Sequence, residues 1–80
     1  MGLAIEVEQE EDGRWLADVP ELPGVLAYGP TRAEAVARTQ ALALRVLADR
    51  LEHGESVPQL KAVFVAVPNP RAADTGERQP

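Results

Sequence analysis

Apolar and polar positions alternate from the start of the chain. "LAIEVEQ" sets Leu3, Ile5 and Val7 against Ala4, Glu6 and Glu8, and a period of two marks a strand with one buried face. "EEDGR" follows, and Asp12-Gly13 predicts a type I′ hairpin turn, which needs positive φ at both central residues. "WLADV" reads as the antiparallel return strand, with Trp15, Ala17 and Val19 on one face and Leu16 and Asp18 on the other. After "PELPG", the short apolar "VLAYG" between glycines predicts a third strand. The period then changes to that of a helix running from about Arg32 to His53, with Gly54 placed for a left-handed stop. On a helical wheel Ala33, Val36, Ala37, Ala43, Leu44, Leu47 and Leu51 share a face, which is expected to pack on the sheet. A narrower stripe holds Ala35, Leu42 and Val46; it is either an interface or a scatter of surface apolar residues. "LKAVFVAV" is a continuous apolar run between Pro58 and Pro68, a pattern of burial on both faces or of pairing at a sheet edge that another chain covers. "PNPRAADTGERQP" has no apolar period and holds three prolines, so residues 1–67 are expected to form the domain and 68–80 a disordered tail.

The connection between the second strand and the helix is the most constrained backbone of the chain. Pro20 and Pro23 fix φ and remove two donors, which keeps both out of a central ladder. Each also holds the residue before it, Val19 and Leu22, in extended conformation. Gly24 is free to take a turn conformation closed to other residues. Gly29 ends the third strand, Thr31 is the helix N-cap, and Glu34 three residues later completes a capping box. The loop reads as a stiff crossover, either scaffold alone or a contact surface as well.

Charge changes the picture in one half of the chain. The net charge is −5, and from Met1 to Glu21 the acids Glu6, Glu8, Glu10, Glu11, Asp12, Asp18 and Glu21 face one base, Arg14. That half repels phosphate; it is either a solvated face or a surface for a basic protein partner. Cysteine is absent, which excludes disulfides and thiolate metal sites. No apolar run approaches the roughly 20 residues of a membrane helix, and no leader pattern opens the chain. The lone His53 suits a helix end better than a metal site.

Catalytic chemistry finds little support. Ser56 lies three positions from His53 with no third orienting group. Glu6 and Glu8 share a strand face and Asp18 can lie across from it, but no further acid completes a two-metal centre. No phosphate-cradling glycine loop is present. The expectation is a protein without enzymatic activity, metal or cofactor.

The stretch from Asp12 to Pro58, "DGRWLADVPELPGVLAYGPTRAEAVARTQALALRVLADRLEHGESVP", resembles the HicB antitoxin family. The family pattern is W/Y-x-A-x-V-P-x-L-P-G, a small-residue strand ending in glycine, T-x-x-E-A opening a long helix, then G-x-x-(I/V)-P. The matching positions are Trp15, Ala17, Val19, Pro20, Leu22, Pro23, Gly24, Gly29, Thr31, Glu34, Ala35, Gly54, Val57 and Pro58. The resemblance implies an α+β, partial ribonuclease-H-like fold, β-β-β-α-β, in which one long helix packs on a small, mostly antiparallel sheet and the last strand lies beside the first. It further implies a cytoplasmic protein that neutralises a small basic mRNA interferase toxin of the HicA type. Many relatives carry a DNA-binding segment after the last strand; here "PNPRAADTGERQP" stands in that place, so a short, solo-domain member without direct nucleic-acid binding is expected. An orphan oligomeric interaction domain with no toxin is the alternative.

Two surfaces follow from this reading. Glu8, Glu10, Asp18 and Glu21 are the candidate partner-binding acids. Val63, Phe64 and Val65 of the last apolar run, with Leu42 and Val46 of the narrow helix stripe, are the candidate interface of a homo-oligomer, expected as a dimer.

Overall fold

The structure, a computed structural model, describes residues 2–69; the expected tail falls mostly outside the described residues. Three short strands, β1 (Glu6–Gln9), β2 (Trp15–Asp18) and β3 (Leu26–Gly29), precede one long helix, α1 (Arg32–Glu52). The sheet is antiparallel in the order β1-β2-β3. Val7 pairs with Ala17, and Ala17 with Ala27, so the small residues of all three strands sit in one row beneath the helix. The expected β-β-β-α order and α+β class are what the chain adopts.

The hairpin is built differently from the expected type I′ turn. Gly13 N–H donates to the Glu10 carbonyl at 2.9 Å and Glu10 N–H to the Arg14 carbonyl at 2.7 Å. Gly13 alone in this loop has positive φ, at 93°. This is a three-residue loop with one left-handed glycine, the next commonest hairpin after the two-residue forms. Asp12 is released from the left-handed region, and its carboxylate accepts from Arg14 N–H at 3.0 Å and Arg14 Nε at 2.8 Å.

"PELPG" folds as two successive turns. Leu22 N–H donates to Val19 O at 2.9 Å and Val25 N–H to Leu22 O at 3.0 Å. Pro20 and Pro23 each occupy the second turn position, where no donor is needed. Gly24 follows Pro23 with φ of 87°, the positive value a type II turn requires at its third position. A bond from Val19 N–H to Val25 O at 3.0 Å closes the pair. Leu22, at the apex where the turns join, is driven into the core between Val19 and Val25 and is 1% exposed. Burying a leucine this fully contributes about 2 kcal/mol, and Leu22→Ala would cost about 2–5 kcal/mol.

The helix begins at Thr31, whose Oγ1 accepts from Glu34 N–H at 3.1 Å and donates to Glu34 Oε1 at 3.2 Å. It ends in a Schellman arrangement: Gly54 N–H reaches Leu51 O at 3.0 Å and Glu55 N–H reaches Arg50 O at 2.9 Å. His53 is the C-cap residue, its Nδ1 2.7 Å from the Asp49 carbonyl oxygen.

The buried helix face differs from the expected one. Ala35, Thr39, Ala43 and Leu47, spaced by four, are the buried residues of α1. Leu42 and Val46 flank them, half-buried against the core cluster. Leu44 and Leu51, expected inside, are 64% and 50% exposed. The reason is close approach. Gly29 leaves room for the first helical turn: a Cβ there would stand 2.6 Å from Ala35 N. With α1 so near β3 and β2, the facing stripe must be small, and Thr39 at its centre is satisfied by donating to the Ala17 carbonyl at 3.0 Å. Leu42 and Val46 therefore have intramolecular neighbours and do not form the partnerless stripe proposed for an oligomer interface.

The fourth strand does not form within the single chain. Pro58–Ala62 is a 3-10 helical turn. Val57 and Leu60 hold it to the core, and the residues that follow, 63–69, belong to no strand and are exposed. A strand needs a ladder partner, and apolar character alone does not supply one.

Candidate functional site

One face of the sheet lies under α1. The other is open, and strict alternation with the observed register decides what it carries. Glu6 stands opposite Asp18, and Asp18 opposite Leu26; Glu8 stands opposite Leu16, and Leu16 opposite Tyr28. The open face thus has an acidic side along β1 and an apolar side along β3, with Asp18 and Leu16 between them. Glu6, Glu8, Leu16 and Asp18 together line a shallow depression. Leu26 and Tyr28 are exposed for large apolar residues, at 46% and 37%. Arg14 lies over the Tyr28 ring, its guanidinium carbon 4.4 Å from the ring centre, a cation–π contact that fixes the aromatic edge of the face.

Glu6 and Asp18 are like charges placed directly across two strands, an arrangement that opposes folding. Glu10 extends the acidic side into the hairpin. Its carboxyl is raised above its ordinary value of 4.5, first by a hydrogen bond with the Glu8 side chain, then by burial and by the Glu8 and Asp12 charges, with Arg14 opposing. Asp12 goes the other way: hydrogen bonds from the Arg14 backbone and side chain hold it below its ordinary value of 3.8. The one base of this region is engaged by Asp12 at 2.8 Å, and among the described residues no ion pair to Glu6, Glu8 or Asp18 is formed.

The four expected partner-binding acids are distributed unequally. Glu8 and Asp18 share the open face and Glu10 adjoins Glu8 at the hairpin. Glu21 sits on the first turn after β2, at the opposite end of that strand from Glu10. Glu6, outside the expected set, belongs with Glu8 and Asp18; its signal was the two-residue spacing from Glu8. Among the loop and cap residues, Pro20, Pro23 and Gly24 shape the double turn, Gly29 admits the helix, and Thr31 with Glu34 caps it. Among the described residues no group of three or more histidines or acids is disposed to hold a metal ion. Nor is any helix there long and apolar enough to cross a membrane.

Comparison with known proteins gives two similarities. No family model matches the chain. The chain is 27% identical over 67 residues to the UPF0150 protein Ta0767 of Thermoplasma acidophilum, covering 84% of this chain and 97% of that protein. In structure it is similar to the N-terminal domain of the Burkholderia pseudomallei antitoxin HicB, with a TM-score of 0.67 and 23% identity, over 96% of this chain and 85% of that one. The double turn, the glycine-ended third strand and the capped helix are where the sequence pattern and this fold coincide. The fold of the chain is that of the HicB antitoxin's N-terminal domain.

Proposed function

We propose that this chain is an antitoxin-like binding protein that covers and neutralises a small basic RNase toxin of the HicA type, without catalysis or nucleic-acid binding of its own, in the cytoplasm. The observation that carries this reading is the Glu6–Asp18 pair with Glu8 beside it, on a face that no part of the described chain covers. Opposed like charges cost stability in the free protein, and a local rule broken without internal compensation points to a functional surface. A basic partner relieves the repulsion on binding and is steered to it by the same field. The apolar side, Leu16, Leu26 and Tyr28, supplies the desolvated contacts that charge alone does not. The likeness to a domain of an antitoxin supports the assignment of partner class.

The test is inhibition. Purified chain is titrated into a HicA-type RNase acting on a fluorogenic RNA, and cleavage is expected to fall to background near equimolar protein. Full cleavage at a tenfold excess of the chain (about one log unit above equivalence) contradicts the proposal. The reading of an orphan oligomeric domain is favoured by one feature, the exposed apolar run after Ala62, and it predicts self-association with no inhibition.

A further inference from the structure

The acidic half of the chain carries a single base, Arg14, and the structure sets it at the aromatic end of the open face. A cation there works against the field that draws in a basic partner, so charge supplies no reason for it. Its contacts supply another. The Asp12 carboxylate accepts from the Arg14 backbone N–H at 3.0 Å and from its Nε at 2.8 Å, which offsets the charge of the guanidinium and fixes its direction. The guanidinium carbon then lies 4.4 Å from the centre of the Tyr28 ring. Tyr28 stands opposite Leu16, and Arg14 is two residues before Leu16, so the contact is the diagonal one that a twisted strand pair allows. The Tyr28 backbone is held as well. β3 is an outer strand, and Arg38 of α1 reaches over its edge, Nη1 donating to the Tyr28 carbonyl oxygen at 2.8 Å. An exposed aromatic residue is thus gripped at its ring by one arginine and at its carbonyl by another.

We propose that Tyr28 anchors the partner contact and that Arg14, held by Asp12, is a positioning residue that keeps the ring in its binding orientation. This rests on the reading of the open face as the surface for a basic RNase. An exposed ring that turns freely must be immobilised on binding, and one already held costs less to immobilise. Rigid aromatic side chains serve as anchors for that reason, and they act best with apolar neighbours that exclude water around them. Leu16 directly across and Leu26 two residues along the strand are those neighbours. Arginine suits the positioning role, because its planar group stacks on an aromatic face while its N–H edge holds a carboxylate. The two effects of Arg14 on a basic partner have opposite signs. Its charge repels, and its grip on Tyr28 strengthens the contact. Asp12 diminishes the first and preserves the second, since it counters the charge while the guanidinium stays on the ring.

Calorimetric titration of the full chain and its variants against a HicA-type RNase at about 50 mM salt tests the proposal by the sign of one effect. Arg14→Gln takes a cation off an acidic face, so a purely electrostatic role would make binding about 2–5-fold tighter. The positioning role makes it about 2–5-fold weaker, the share of an exposed cation–π contact. Tyr28→Ala is expected to weaken binding by about 30-fold or more, while Tyr28→Phe keeps the ring under Arg14 and stays within about threefold of wild type. In the Tyr28→Ala background Arg14→Gln is expected to cause no further weakening, because no ring is left to hold. Both positions are exposed, so circular dichroism is expected to be unchanged throughout. In the free chain, the Arg14 Nε–H proton resonance is expected to move on Tyr28→Ala, with the loss of the ring current, and to stay in place on Tyr28→Phe. Arg14→Gln that binds as well as wild type, or more tightly, overturns the inference and leaves the reading of the face standing. An equal loss with and without Tyr28 overturns it too, since Arg14 then acts through the hairpin and not through the ring. A wild-type chain that does not bind removes the reading of the face, and this inference with it.

Discussion

Replacing Gly29 by alanine places a methyl carbon 2.6 Å from the Ala35 nitrogen and 3.1 Å from both the Ala35 Cα and the Glu34 carbonyl carbon. All three are backbone atoms of the first helical turn, so no side chain can swing away. Restoring an ordinary contact of 3.4 Å or more requires the start of α1 to retreat from β3 by about 0.8 Å. Overpacking of this kind costs about 1–3 kcal/mol, and the retreat also pulls on the Thr31 cap, which is worth about 1 kcal/mol. A total near 2–3 kcal/mol corresponds to a fall in Tm of about 10–20 °C for a chain of this size. Thermal unfolding followed by circular dichroism at one fixed protein concentration measures it. Gly24 supplies the control: a Cβ there meets nothing within 4 Å, and the cost arises only from φ of 87°, about 1–2 kcal/mol for alanine. Asparagine, which tolerates the left-handed region, is expected to recover part of the loss at Gly24 and none at Gly29. A Gly29→Ala protein within about 0.5 kcal/mol of wild type would refute close helix approach as the reason for the observed buried face.

Other consequences are testable in the same way. Thr39→Val keeps the shape but leaves the Ala17 carbonyl without the hydroxyl at 3.0 Å, and is expected to cost about 1 kcal/mol in urea unfolding, with Thr39→Ser retaining the bond; equal stability of Thr39→Val and wild type counts against that bond. Thr31→Ala removes the acceptor of Glu34 N–H and is expected to lower stability by about 1 kcal/mol, while Thr31→Asp stays near wild type. Glu10 is raised in the folded protein by Glu8, so its contribution is fully present below its unfolded pKa and is lost as pH rises through the higher folded value. Glu10→Gln is accordingly expected to gain relative to wild type above that value, and an NMR titration of Glu10 with a midpoint at or below 4.5 contradicts the Glu8 contact.

The strands were legible because each declares itself by a short-range rule. Alternation located β1 and β2, and the proline and glycine spacing located the stiff connection into β3. Thr31, Glu34 and Gly54 bounded the helix within a residue or two. Its buried face was not legible, because alanine fills both sides of α1 and a wheel weighted by apolarity favours Leu44 and Leu51. The fold instead selects small residues where the backbone comes closest, and accepts Thr39 because a carbonyl lies within reach. Asp12-Gly13 announced a hairpin without fixing its length, since one left-handed glycine serves a three-residue loop as well as a two-residue one. The apolar run after Lys61 announced a strand, but a ladder depends on what lies alongside, and among the described residues no strand pairs with it. In the candidate site, the acids were visible in the sequence. Alternation also placed Asp18 across from the face of Glu6 and Glu8, but which of the two it opposes depends on the hairpin's register, and that register sets Glu6 opposite Asp18.

Charge reversal on the open acidic face tests most directly whether that face receives a basic partner. The chain carrying Glu6→Lys, Glu8→Lys and Asp18→Lys keeps its buried residues and its turns, and its circular dichroism is expected to match wild type. Calorimetric titration against a HicA-type RNase at about 50 mM salt is expected to show affinity reduced by roughly 10–100-fold, from about 0.5–1 kcal/mol per reversed contact. Raising the salt to about 0.5 M is expected to weaken the wild-type complex and narrow that gap. Unchanged affinity of the folded triple variant at low salt would contradict the account and place the contact away from the sheet's open face.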